Sequence, residues 1–194
     1  VGEEATAKFI RQVVEFADID NKKAEEFIKQ EASIYYYYLE HFSEFFAEYW
    51  YGMPSEFAIV ADASYALAYS KFLADQIGLI PKRVVITDNT PEKFRPAISE
   101  YFKNNISEGV SIDVDFVEDG YIAEQLVDSV EFTGGKPLIL ASSWELTLAE
   151  KKQALFFEIT TPSSETLIIS RTHIGYRGAL QFLERIYSAS VGGK

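Results

Sequence analysis

Two short stretches carry residue types that could do chemistry. In RTHIGYRGAL, His173 stands between Arg171 and Arg177, and Gly175 and Gly178 lie three residues apart. Cationic side chains beside a helix start attract an anion, because the unpaired amide groups there carry partial positive charge. The competing reading is a pair of arginines offsetting carboxylates on a very acidic surface. The glycines leave one face of that helix start bare, which allows close approach of a neighbouring backbone or a ligand. The second stretch is Ser142-Ser143-Trp144-Glu145. Its Ser-x-x-Glu spacing is that of a capping box, in which the two side chains satisfy amide donors at a helix start. The capping reading is favoured, and it is compatible with Ser143 and Glu145 also lining a ligand crevice. With two histidines and no cysteine, spacing gives no serine–histidine or cysteine–histidine pair. His41, inside an aromatic helical run, reads as structural.

Such residues act only where a scaffold brings them together. From Phe57 onward, FAIVA (57–61), RVVIT (83–87), IDVDF (112–116), PLILA (137–141) and LFFEI (155–159) read as short strands. Helical stretches lie between them, around 65–77, 91–105, 120–130 and 144–153. This alternation predicts right-handed crossovers and a three-layer, Rossmann-like α/β domain with a parallel sheet of four or five strands. In such a sheet ligands bind beyond the carboxyl ends of the strands. Those ends carry Asp62 and Ser64, Asp88 and Asn89, Glu118 and Asp119, Ser142 to Glu145, and Thr160 and Thr161. Thr90 and Pro91 are expected to open the helix at 91, and Pro96 to kink it. The loop after the first strand, VADASYALA, has no glycine to admit a dinucleotide pyrophosphate, and no Walker-type loop occurs.

The first part of the chain reads as helical and aromatic. Phe27, Ile28, Ile34, Tyr35, Tyr38, Leu39, Phe42, Phe45, Phe46 and Tyr49 recur at three- and four-residue spacing, forming one wide apolar face. Tyr36 and Tyr37 fall off that stripe and are expected to pack ring on ring. Gly52, Met53 and Pro54 end the helix. The expected division is therefore a helical segment, 1–54, and an α/β domain, 55–194, onto whose sheet Leu180, Phe182, Leu183, Ile186 and Tyr187 pack the last helix.

A formal net charge of −12 over 194 residues argues against a nucleic-acid backbone or an anionic membrane as partner. No apolar run approaches the ~18 residues of a spanning helix, and a cytoplasmic location is expected. Without cysteine the chain offers no thiolate to zinc or to an iron–sulfur cluster.

GYRGALQFLERIYSA (175–189) resembles the closing helix of nitrogenase component 1-type oxidoreductases, which carry a Gly-Tyr-x-Gly stretch and then an apolar helix. EEFIKQEASIYYYYLEHF followed by FAIVADASYALAYSKFLADQIGL is similar to the long helix that leads into that family's last α/β domain. PLILASSWELTLA and FFEITTP are similar to its later strand ends, in the same order. The resemblance implies the C-terminal domain of a larger protein whose metalloclusters are held between domains and subunits. It also implies a homo- or hetero-oligomer and an ATP-dependent iron–sulfur reductase as electron donor. The family's cluster-binding cysteines lie in earlier domains. Its histidine cofactor ligand would fall near Glu165, where no histidine stands, and His173 is too close to Gly175 to replace it. The expectation is a divergent relative in which Ser143, Glu145, Arg171 and His173 wall a cofactor or substrate cleft, with no metal bound by this segment alone. The alternative is a non-catalytic scaffold or carrier for metallocluster assembly, or an interaction module.

Overall fold

The computed structural model describes residues 1–49, 52–106, 112, 114–167, 169 and 172–192. Two compact units emerge, one of Val1–Met53 with Ile168–Lys194 and the other of Pro54–Leu167.

The second unit is built on five parallel strands: β1 (Glu56–Ala61), β2 (Ile80–Ile86), β3 (Val114–Phe116), β4 (Leu138–Ala141) and β5 (Leu155–Glu158). Their order across the sheet is β3-β2-β1-β4-β5. The chain thus builds outward from β1 through β2 and β3, then returns to add β4 and β5 on the other side. The reversal of direction falls between β1 and β4, whose register pairs Phe57 with Leu138 and Ile59 with Leu140. Central strands buried on both faces need unbroken apolar runs, and every residue of β1 and β4 is buried. Between Phe57 and Ala58 the β1–β2 register shifts: Phe57 pairs with Pro81 but Ala58 with Arg83. Pro81 has no N–H to give the ladder, and Lys82 becomes the extra residue of a bulge.

Right-handed crossovers put α3 (Ala63–Lys71) and α4 (Arg95–Asn105) on one face, and α5 (Gly120–Asp128) and α6 (Leu146–Lys151) on the other. On the latter face Val60, Val85 and Ile139 pack with Ala123 and Val127 of α5 and Leu148 of α6. Burying each such aliphatic side chain is worth roughly 1.5–3 kcal/mol. α3 runs on into a π-helical turn, Phe72–Ile77, that stops at Gly78 with φ 85°.

All five expected strands are present. The helix expected from residue 91 begins at Arg95 instead. Thr90 stays in the preceding turn, where its hydroxyl donates to Asp88 Oδ1 at 2.6 Å. Pro96 consequently occupies the first turn of α4, where a missing N–H breaks no helical bond, so it does not kink the helix.

The first unit contains α1 (Gly2–Phe16), α2 (Asn21–Tyr49) and α7 (Gly175–Gly192), which pack on one another. Asp20 Oδ1 accepts from Lys22 N at 2.9 Å and caps α2. The buried stripe of α2 is narrower than its apolar spacing predicts. Ile28 and Tyr35 are buried, whereas Phe27 and Tyr38 are exposed. Phe42, Phe45 and Phe46 instead present ring edges to Tyr187 of α7. Tyr36 and Tyr37 make ring contacts with Tyr35 and Tyr38. The last helix, expected to pack on the sheet, groups with α1 and α2 in this unit.

Candidate functional site

The switch in strand order between β1 and β4 is where a parallel sheet opens a crevice. On the β1 side stands Asp62, whose Oδ1 accepts from Ser64 N at 3.0 Å and Tyr65 N at 3.1 Å, capping α3. On the β4 side the capping box is formed. Ser142 N donates to Glu145 Oε2 at 3.1 Å, and Ser142 Oγ accepts from Trp144 N at 3.2 Å. Ser142 Oγ also donates to Glu145 Oε2 at 2.7 Å. Burial, at 4% exposure, pushes the Glu145 carboxyl above its ordinary range, and the bonds from Ser142 oppose that rise. Trp144, between them, is 73% exposed.

Ser143 turns the other way. Both its N–H and its hydroxyl donate to the Pro162 carbonyl, at 2.9 and 3.0 Å. The loop after β5 is thereby tied to the loop after β4. The same loop is held from below by Glu158, which is 2% exposed. Its carboxylate accepts from Glu165 N and Ser164 N, each at 3.1 Å, and from the Ser163 hydroxyl at 2.8 Å. Burial raises the Glu158 pKa, but these donors outweigh it and hold the carboxyl below its usual range. In the sequence Glu158 lies inside the strand run LFFEI and belongs to no motif. A lone charged residue closing the apolar run LFFE was the available signal. Glu145 and Ser143 share one short turn, but their side chains serve different partners.

In the other unit, His173 precedes α7. Arg185 Nη1 lies 2.6 Å from His173 Nε2, and since guanidinium only donates, Nε2 is the acceptor. The ring therefore carries its proton on Nδ1, and its centroid lies 4.9 Å from that of the tilted Phe182 ring. Arg177 forms a two-pronged pair with Glu31, Nε and Nη2 each 3.2 Å from a carboxylate oxygen. That is the charge-offsetting role weighed for it above. Arg171 lies outside the described residues. The two glycines do different work. A Cβ on Gly178 would meet the backbone of Thr172 and His173 at 2.8–3.1 Å, whereas nothing lies within 4 Å of one on Gly175. Gly175 is needed for its φ of 79°, which side-chain-bearing residues rarely adopt.

Two concavities include none of Ser143, Glu145 and His173 among their lining residues. One, of about 620 Å³, opens beyond β1 and β2 between α3 and α4. The other, of about 520 Å³, lies between α2 and α7 and includes Tyr38, His41 and Phe45. His41 accordingly faces a groove; its Nδ1 is 2.8 Å from the Tyr37 carbonyl.

Among the described residues no three or more His, Asp or Glu side chains cluster as a metal site, and the whole sequence has no cysteine. These donors do not fit direct ligation of an iron–sulfur cluster, which needs thiolates or imidazoles held together.

The sequence profile of the nitrogenase component 1 type oxidoreductases matches residues 1–190. The chain belongs to this family. Among solved structures, nitrogenase Cp1 at pH 6.5 superposes with a TM-score of 0.68 at 21% identity. The match covers 100% of this chain and 39% of that one, so the chain spans about two fifths of the length of that nitrogenase chain. At this identity the likeness establishes the fold. A sequence search of the curated proteins finds no match. Among the described residues no helix is long and apolar enough to cross a membrane.

Proposed function

We propose that this chain is the C-terminal α/β domain of a nitrogenase-like oxidoreductase, and that Ser143, Glu145, Arg171 and His173 line a cofactor or substrate cleft formed with further domains. The observation that carries this reading is the reversal of strand order between β1 and β4, with Ser142–Glu145 starting at that edge. Ser143 and Glu145 offer a hydroxyl and a buried carboxyl, and His173 an imidazole, groups that shape and polarise a site without binding metal themselves. Ligation of any cluster is left to other segments. In this reading the assembled protein is cytoplasmic and oligomeric, and takes electrons from an ATP-dependent iron–sulfur reductase. Hydrogen bonding and buried charge around a metal centre tune its potential.

The test uses the full-length protein purified without oxygen, with Ser143→Ala and His173→Gln. Ser143→Ala keeps the backbone bond to Pro162, and glutamine keeps an acceptor for Arg185. Both variants should melt as the parent does while shifting the midpoint potential or electron paramagnetic resonance line shape of the bound cluster. Unchanged potential, spectrum and reductase-driven turnover in both would remove these residues from the cleft.

A further inference from the structure

Among the described residues of the sheet unit, Trp144 and Tyr121 carry the two most exposed rings, at 73% and 68%. Their backbone amides are bonded, but no other ring, cation or hydrogen-bonding group among the described residues engages either side chain. Large aromatic surface left open in this way marks an interaction face.

The two rings belong to one corner. A Cβ on Gly120 would sit 3.8 Å from Trp144 Cε3, so the indole lies against the start of α5, where Tyr121 and the exposed Ile122 follow. Glu124 stands one turn beyond Gly120 on the same face of that helix. Its charge reaches the same corner: burial first, and Glu124 in addition, hold the Glu145 carboxyl high. No hydrogen bond or salt bridge engages the Glu124 carboxylate among the described residues. Lys151 feels its charge but is already bound to Asp128, at 2.7 Å.

Charge selects what can land here. Glu118 and Asp119 precede the rings and Glu124 follows them, in a chain of net charge −12, so the corner repels anions. Asp119 Oδ1 already takes the Tyr121 and Ile122 amides, and Ser142 Oγ takes that of Trp144. A carboxylate beside an open indole suits a cation. A guanidinium suits it best, because it lies flat on the ring and is less strongly hydrated than an ammonium. Trp144 lines neither of the concavities described above, so a small cation would be held from one side only. A chain segment would cover Tyr121 and Ile122 as well, and interface energy concentrates in Trp, Tyr and Arg. We infer that Trp144, Tyr121 and Glu124 dock an arginine-bearing segment of a protein partner, its guanidinium over the indole and paired with Glu124. The inference stands on this corner alone and does not rest on the cleft proposed above.

The experiment follows amide and indole proton–nitrogen spectra of the full chain as the blocked peptide Gly-Leu-Arg-Leu-Gly is added. Lysine and citrulline versions of the peptide are the comparison, citrulline keeping the planar shape without the charge. The arginine peptide should move the Trp144 indole and the Glu124 amide together and saturably. Citrulline should bind about two- to fivefold more weakly, and lysine more weakly than arginine. Trp144→Leu should erase the preference for arginine over citrulline, and Glu124→Gln should reduce it. The citrulline comparison needs no variant, so it decides even where a substitution disturbs the fold. No saturable shift at tens of millimolar peptide overturns the inference, as does an equal response to citrulline. An equal response to free arginine amide would mark a small-cation site and also overturns it. So does self-association in sedimentation that Trp144→Leu removes, which would give the corner to a second copy of the chain.

Discussion

Replacing Gly178 by alanine sets two opposing effects against each other. Within a helix alanine is favoured over glycine by about 0.8–1.0 kcal/mol, and Gly178 lies in the first turn of α7. The new Cβ, however, would sit 2.8 Å from the His173 carbonyl carbon, 3.0 Å from the Thr172 oxygen and 3.1 Å from His173 Cα. These neighbours are backbone, so no side-chain rotation relieves the contact; residues 172–173 must move or the helix must. Overpacking of this kind costs about 1–3 kcal/mol, leaving a net loss of roughly 0–2 kcal/mol after the propensity gain. For a chain of this size each kcal/mol lowers the melting temperature by roughly 2–4 °C. Gly175→Ala is the control: its Cβ meets open space, and the penalty, about 1–2 kcal/mol, comes from the left-handed backbone alone. Urea unfolding followed by circular dichroism gives both magnitudes. Amide spectra should show Thr172 and His173 displaced in Gly178→Ala and not in Gly175→Ala. A Gly178→Ala protein stabilised by the full propensity gain, with those amides unmoved, refutes the close approach.

Glu145 titrates in the sense opposite to most carboxylates. Burial raises its pKa above 4.5, so the native state keeps a proton that the unfolded chain has already lost. Stability from this group therefore falls as pH rises from about 4.5 through the folded value. Glu145→Gln should gain on the parent across that window, and a stability difference that does not vary with pH would disprove it. Glu158 is shifted the other way, with its bonds fully stabilising above 4.5 and failing as pH drops through the folded value. Lastly, anaerobic reconstitution of this chain with iron and sulfide should leave it colourless, since it has no thiolate. Stoichiometric iron with charge-transfer absorbance would show that carboxylates and histidines suffice.

What could be read in the sequence was whatever depends on local pattern. The five strands announce themselves as short β-branched or aromatic runs between helical stretches, and Ser-x-x-Glu is a cap on spacing alone. Positions set by tertiary neighbours were not legible. Nothing local shows that Thr90 prefers the Asp88 turn to capping a helix, or that Ser143 spends its hydroxyl on Pro162 while Glu145 spends its carboxylate on Ser142. The glycine pair in GYRG looks like one device. Only coordinates separate Gly178, which needs empty space, from Gly175, which needs a backbone angle. The aromatic stripe of α2 misled for a related reason: spacing counts rings, but burial depends on how much partner surface there is to cover them.

The grouping of both chain ends into one unit has a consequence for synthesis. α1 and α2 are synthesised before the strands of the sheet, whereas their partner α7 follows them. Until then the Tyr35 and Ile28 face has no α7 to close on, while the intervening sheet can complete itself once β5 emerges. The two helices made before the sheet thus wait for the one made after it.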